Sequence, residues 1–130
     1  MNKKHLSQSS EDYLETIYII KEKKGIIRIN NIAKNLNVSL PSVTMAIKKL
    51  SKQNLVIYEK YGLVKLTPKG KKIAKDTYKK HKTLFEFFTK ILKIEEKTAS
   101  EDACKMEHGL SKKTLKKLVI FINKMKGGKK

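Results

Sequence analysis

Acidic residues, arginine, cysteine and long apolar runs are all scarce in this 130-residue chain. Twelve acidic residues face 31 basic ones, giving a formal net charge of +19. The excess is even along the chain: residues 1–73 hold 15 basic and 5 acidic groups, and residues 74–130 hold 16 and 7. With no acidic half to offset a basic one, the chain suits a polyanionic partner or a lysine-rich proteome, and composition alone does not separate these. Thirty of the basic residues are lysine and only Arg28 is arginine. Arginine is the side chain that reads guanine and phosphate bidentately, so charge by itself says little about base-specific recognition. The single cysteine, Cys104, excludes an internal disulfide and fits a reducing cytoplasm, where a lone thiol can serve as a ligand. No apolar run approaches the roughly 18–20 residues of a membrane span. Met1-Asn2-Lys3-Lys4-His5 leads into polar residues with no signal-peptide core behind it. A soluble cytoplasmic protein is expected, forming one small domain or two very small ones. Internal repeats, Gly-rich phosphate loops and Walker motifs are also missing.

What is present is a succession of short amphipathic helices. Ser9-Ser10-Glu11-Asp12 has the form of a helix start, a Ser N-cap with an acid three residues on. Tyr13, Leu14, Ile17, Tyr18 and Ile20 form the apolar stripe, and Lys24-Gly25 ends it. Asp12 and Glu15 share a face; the plain reading is a capping carboxylate and a solvated charge. Ile26–Ile29 is a short β-prone run, after which Asn30 or Asn31 caps a helix through Leu36. Asn37-Val38-Ser39 makes a turn, and Ser39 caps a second helix with Pro41 in its first turn, where a missing N–H costs little. There Val43, Ala46, Ile47 and Leu50 recur at i, i+3, i+4, i+7, opposite Ser42, Thr44, Met45, Lys48 and Lys49. Two short helices joined by a tight turn match a helix-turn-helix. Residues 55–59 and 63–67 flank Lys60-Tyr61-Gly62 as a β-hairpin with Gly62 at positive φ, the wing of a winged helix. The first domain is set at residues 1–73 and a helical second domain at 74–130.

Thr67-Pro68 opens a long helix that extends toward Leu92, with Gly70 in its first turn and His81 in its middle. Ser100 is expected to start the next helix and Gly109 to stop it. Ser111 caps a last helix whose stripe of Leu115, Leu118, Val119, Ile122 and Met125 is widened by Ile120 and Phe121. So much apolar surface with so little chain left to cover it points to a second subunit. Residues 127–130 read as a frayed tail. If Cys104-Lys105-Met106-Glu107-His108 is helical, Cys104, Glu107 and His108 lie at i, i+3 and i+4 on one face. A thiolate, a carboxylate and an imidazole form a transition-metal donor set rather than a calcium one. The plain alternative is a buried Cys beside two surface polar residues.

Taken in order, these stretches resemble the diphtheria-toxin-repressor family of metal-dependent regulators, and within it the short manganese-transport-regulator branch. The resemblance is carried by Glu11-Asp12-Tyr13-Leu14-Glu15, Pro41-Ser42-Val43-Thr44, residues 55–61, Thr67-Pro68-Lys69-Gly70, His81, and residues 104–111, and it spans roughly residues 7–125. It implies a mainly α fold, an N-terminal winged helix-turn-helix followed by a helical dimerisation domain, without the SH3-like domain of longer members. It implies metal ligands at Asp12, Glu15, His81, Cys104, Glu107 and His108. Two positions depart from the branch pattern: Cys104 stands where the manganese branch usually has glutamate, and Asp12 where the iron branch has methionine. Phe85 and Ser100 occupy positions that build an ancillary site in the iron branch.

The leading expectation is therefore a homodimeric cytoplasmic repressor, not an enzyme, that binds a palindromic operator in double-stranded DNA when loaded with Fe²⁺ or Mn²⁺. Zn²⁺ is expected to substitute in vitro. Ser39, Pro41, Ser42, Thr44 and Met45 are assigned to the base-reading end, and Lys48, Lys49 and wing Lys60 to phosphates. Two other functions compete. A zinc hydrolase using Glu107 as general base lacks an HExxH-type signature. A metal-independent winged-helix protein would use Cys104 as a redox sensor.

Overall fold

Ser7, Ser9 and Ser10 all offer helix caps within four residues, and Ser7 takes the role. Its hydroxyl accepts from the Ser10 N–H at 3.0 Å, so helix α1 (Gln8–Lys24) begins earlier than expected at Ser9 or Ser10. The computed structural model that shows this describes residues 6–127, so the tail at 128–130 lies outside the described residues. The chain divides into two compact units, Met1–Asp76 and Thr77–Lys130. Helix α1 buries Tyr13, Leu14, Ile17 and Ile20. Its end is set by Gly25 at φ +80°, whose N–H reaches the Lys21 carbonyl at 2.9 Å.

The β-prone run after Gly25 forms only a bridge, Arg28 to Leu63, with the Val64 N–H on the Ile27 carbonyl at 2.9 Å. Helix α2 (Ile29–Leu36) follows at once, and its N-cap is Arg28 rather than Asn30 or Asn31. Asn31 still contributes, from inside the first turn: its Oδ1 accepts the Arg28 N–H at 2.9 Å. Asn37 at φ +56° closes α2, and Ser39 caps helix α3 (Leu40–Lys52) by accepting from the Ser42 N–H at 3.2 Å. Val43, Ile47 and Leu50 join Leu14, Ile17, Ile32, Leu55 and Val64 in the first unit's core. Each such side chain stabilises the fold by about 1.5–3 kcal/mol through burial, which holds the opposite face of α3 outward.

The wing is an antiparallel pair, β1 (Val56–Tyr58) and β2 (Val64–Leu66), with Ile57 opposite Lys65. A 3₁₀ turn at Lys60–Gly62 joins them. Positive φ falls on both Tyr61 (+62°) and Gly62 (+76°), not on the glycine alone. Beyond the wing, Thr67 caps helix α4 (Pro68–Glu86): its hydroxyl accepts from the Gly70 N–H at 3.0 Å and donates to the Asn54 carbonyl at 2.8 Å. The Thr67 N–H meets the Leu55 carbonyl at 3.1 Å. Gly70 therefore has a role beyond tolerating its place in the first turn, because a Cβ there would run into the Leu55 carbonyl.

Helix α4 is extended by a π turn at Phe87–Ile91, with the Leu92 N–H reaching five residues back to Phe87 at 3.1 Å. In the second unit, helix α5 (Glu96–Met106) starts after Glu95, a turn before the expected Ser100, and Thr98 donates to Glu95 Oε2 at 2.8 Å. It tightens into a 3₁₀ turn at Glu107–Gly109. Ser111 caps helix α6 (Lys112–Gly127) as expected, accepting from the Thr114 N–H at 3.1 Å. Leu84, Phe88, Ala99 and Ala103 are the buried core here, with Leu110 and Leu118 packed against them. On α6 Ile122 is buried, whereas Ile120, Phe121 and Met125 are exposed.

The glycines give a direct test. Gly70→Ala forces backbone apart and should cost about 1–3 kcal/mol. Gly25→Ala, with nothing within 4 Å of its Cβ, should cost only the left-handed strain of about 1–2 kcal/mol. Urea unfolding of both variants measures the difference; a Gly70→Ala protein as stable as wild type contradicts the close approach.

Candidate metal centre and nucleic-acid interface

A glutamate two residues short of a glycine is ordinarily a surface group, yet Glu107 is fully buried at 0 % exposure. The tightening of α5 into its terminal 3₁₀ turn brings residues three apart nearly into register, so Glu107 follows Cys104 on one side. His81 on α4 meets it: His81 Nδ1 lies 2.9 Å from Glu107 Oε1. Phe85, one turn on, lies with its ring near-parallel to the imidazole, the ring centres 6.4 Å apart. The other oxygen, Glu107 Oε2, has no hydrogen-bond partner among the described residues. His108 Nε2 is 3.4 Å from it.

His81, Cys104 and Glu107 each offer a ligand atom, and these atoms lie within 4.8 Å of one another. The plain reading of the Cys104 triplet is inverted: the thiol is exposed and the carboxylate is buried. A buried carboxylate oxygen without a donor leaves a desolvation cost of about 1–3 kcal/mol or more uncompensated. A cation is the natural complement, and the set of imidazole, thiol and carboxylate suits a borderline transition metal. The residues present therefore fit a divalent metal. The hydrogen bond between His81 and a carboxylate is also the arrangement that sets tautomer and ring direction in metal-binding histidines.

Asp12 and Glu15 belong to α1 in the first unit. Glu15 is buried and Asp12 half-buried, so the reading of Glu15 as a solvated charge does not hold. Nor does Asp12 cap α1, since Ser7 does. On α3 the residues assigned to DNA are displayed as expected: Ser39, Pro41, Ser42, Met45, Lys48 and Lys49 are exposed, as is Lys60 on the wing, while Thr44 is half-buried. Tyr61, which the hairpin places beside Lys60 at the wing tip within reach of a phosphate or a minor groove, is 87 % exposed. A cleft of about 450 Å³ in the first unit, bounded by Tyr18, Ile26, Arg28 and Leu63 among others, contains none of the proposed ligands.

The model of the iron-dependent repressor N-terminal DNA-binding domain matches residues 5–64, and that of the iron-dependent repressor metal-binding and dimerisation domain matches residues 67–127. The chain belongs to the iron-dependent repressor family. Within that family it is 48 % identical over 122 residues to an uncharacterized HTH-type transcriptional regulator of Methanocaldococcus jannaschii, covering 93 % of this chain and 98 % of the other. It is 45 % identical over 103 residues to the HTH-type transcriptional regulator MntR of Bacillus pumilus, covering 79 % of this chain and 71 % of that one. The crystal structure of T. acidophilum IdeR superposes with a TM-score of 0.78 at 25 % identity, over 93 % of this chain and 56 % of that one. The chain thus spans about half the length of that solved structure. The family's two parts, a winged helix-turn-helix and a helical metal-binding and dimerisation domain, are both present, and the fold is mainly α as expected. Among the described residues no helix is long and apolar enough to cross a membrane.

Replacing Glu107 by Gln separates the apo structure from metal binding. The amide keeps the shape, so the metal-free protein should lose less than about 1 kcal/mol, near the net worth of one hydrogen bond. The added stability from Mn²⁺, about 2.7 kcal/mol at a hundred times Kd, should vanish. Thermal unfolding with and without Mn²⁺ reads both, and a retained Mn²⁺ shift removes Glu107 from the ligand set.

Proposed function

We propose that this protein is a cytoplasmic, homodimeric transcriptional repressor whose binding to a palindromic operator requires a divalent metal, Fe²⁺ or Mn²⁺. The observation that carries the reading is the buried Glu107 carboxylate, one oxygen on His81 and the other without a donor, beside Cys104 and His108. We assign His81, Cys104, Glu107 and His108 as ligands on that arrangement. Asp12 and Glu15 are assigned on the family pattern. Manganese is favoured by the name of the MntR relatives, whereas the thiol of Cys104 is a softer donor suited to Fe²⁺ and Zn²⁺. Zn²⁺ is expected to outbind Mn²⁺ in vitro, so affinity alone does not name the physiological activator.

Once the ligand side chains are satisfied, the dimer is held in the arrangement in which its two recognition helices meet half-sites one helical turn apart, about 34 Å. Moving the dimer from 1 % to 99 % competent takes about 5.5 kcal/mol of preferential metal binding. Linkage requires that operator DNA tighten metal binding by the same factor. On the DNA face, Ser39, Pro41, Ser42, Thr44 and Met45 approach base edges, and Lys48, Lys49 and Lys60 take phosphates. No group in the site is assigned a catalytic role.

A second reading draws on the exposure of the Cys104 thiol: a metal-independent winged-helix protein that senses oxidants there. Operator selection from a random library with metal-free, Mn²⁺-, Fe²⁺- and Zn²⁺-loaded protein distinguishes the two. Sequence enrichment only with metal is expected; equal enrichment by metal-free reduced protein overturns the metal-dependent reading. Two variants sharpen it. Lys49→Ala should weaken binding alike on all sequences and lower the salt slope by about one charge per subunit. Cys104→Glu should move activation toward Mn²⁺, and unchanged Fe²⁺ and Mn²⁺ responses would contradict the ligand assignment.

A further inference from the structure

The exposed face of α3 has an apolar residue at its centre. Met45 is 74 % exposed, the most exposed large apolar side chain of the helix. Its neighbours one turn away, Pro41 and Ser42 before it and Lys48 and Lys49 after it, are all exposed, so Met45 sits in the middle of the outward face rather than at the edge of the core. The Val43, Ile47 and Leu50 stripe that anchors the helix lies on the other side. Packing within the unit does not account for a methionine there.

The same stretch is also notable for its hydrogen-bonding inventory. From Val38 to Lys52 there is no Arg, Asn, Gln, Asp or Glu, so among the side chains that hydrogen-bond to base edges only lysine and small hydroxyls are present. Two of the hydroxyls are partly engaged with each other: Ser39 donates to Ser42 Oγ at 2.9 Å and accepts from the Ser42 N–H. Beyond the small hydroxyls of Ser42 and Thr44 and the lysine ammonium groups, what the centre of the face offers bases is apolar contact, from Met45 and, one turn before it, Pro41, both exposed. In the major groove the only apolar feature on any base edge is the C5-methyl group of thymine.

We propose that Met45 is a specificity residue that reads a thymine methyl, so that each operator half-site carries an A·T pair under the centre of α3. The inference rests on the DNA-binding reading given above. Lys48 and Lys49 hold the helix to the backbone without sequence preference, and discrimination comes from methyl burial. A polarizable, unbranched thioether adapts its shape to such a contact.

Replacing thymine by uracil removes the methyl and nothing else. The full chain, loaded with the metal that supports selection, is measured against its selected operator with each thymine changed in turn, symmetrically in both half-sites. One position should weaken wild type by about fourfold per methyl, about 16-fold for the pair, from the worth of one buried methyl(ene). Met45→Ala should lose affinity for the thymine operator by a similar factor and become indifferent to uracil at that position. Met45→Leu should retain the discrimination, and Met45→Gln should abolish it. An operator that is selected, yet whose uracil substitutions affect wild type and Met45→Ala equally, overturns this inference alone. A protein that selects no sequence in any metal state overturns the DNA-binding reading and this inference together.

Discussion

A carboxylate cut off from water needs a hydrogen-bond donor or a cation beside it, and the second unit is arranged around that need at Glu107. Transfer of an unpaired carboxylate into a low-dielectric interior is among the largest costs a small fold can carry. His81 Nδ1 lies within hydrogen-bond distance of one oxygen, and His108 Nε2 lies 3.4 Å from the other. Both imidazoles, the Cys104 thiol and the change of helical pitch after Met106 are then parts of one solution. The core beneath it is modest, with Ala99 and Ala103 as the buried residues of α5. Large side chains there would hold the helix further off and move Glu107 away from His81.

The first unit follows a different logic. Its core is built from branched aliphatic residues on α1, α2, α3 and the wing, and its polar work is concentrated at caps: Ser7, Ser39 and Thr67 each take an N–H that a helix start would otherwise leave open. Thr67 also ties the wing's exit to Asn54. The outward face of α3 is thereby presented on a scaffold fixed at both ends. Positive charge is nearly all lysine, which attracts a polyanion strongly without itself favouring one base over another as bidentate arginine does.

Much of this was legible in the residues. The i, i+3, i+4, i+7 spacing at Val43, Ala46, Ile47 and Leu50 located α3, and Ser39, Thr67 and Ser111 were correct caps because each is a good capping residue directly before its helix. At α1 three serines competed, and the earliest prevailed. Arg28 and Glu95 are poor caps by residue type, so the starts of α2 and α5 were placed too late. The burial of Glu15 and Glu107 was hidden for a general reason: a carboxylate is assumed solvated unless something distant in sequence covers it. The role of Gly70 was hidden likewise, since Leu55 approaches from fifteen residues away.

Burial divides the proposed ligands into two kinds with different histories open to them. Glu107 is enclosed and shares a hydrogen bond with His81, so any exchange there that changes shape, unlike the isosteric amide, disturbs the packing of the second unit along with the proposed ligand set. Cys104 lies at the surface end of the same cluster. Thiol, carboxylate or other donors can succeed one another there with little effect on the core. Under the proposed ligand set, descendants of one sequence can in this way drift from one metal to another through a single surface codon, keeping the fold and the anchor intact.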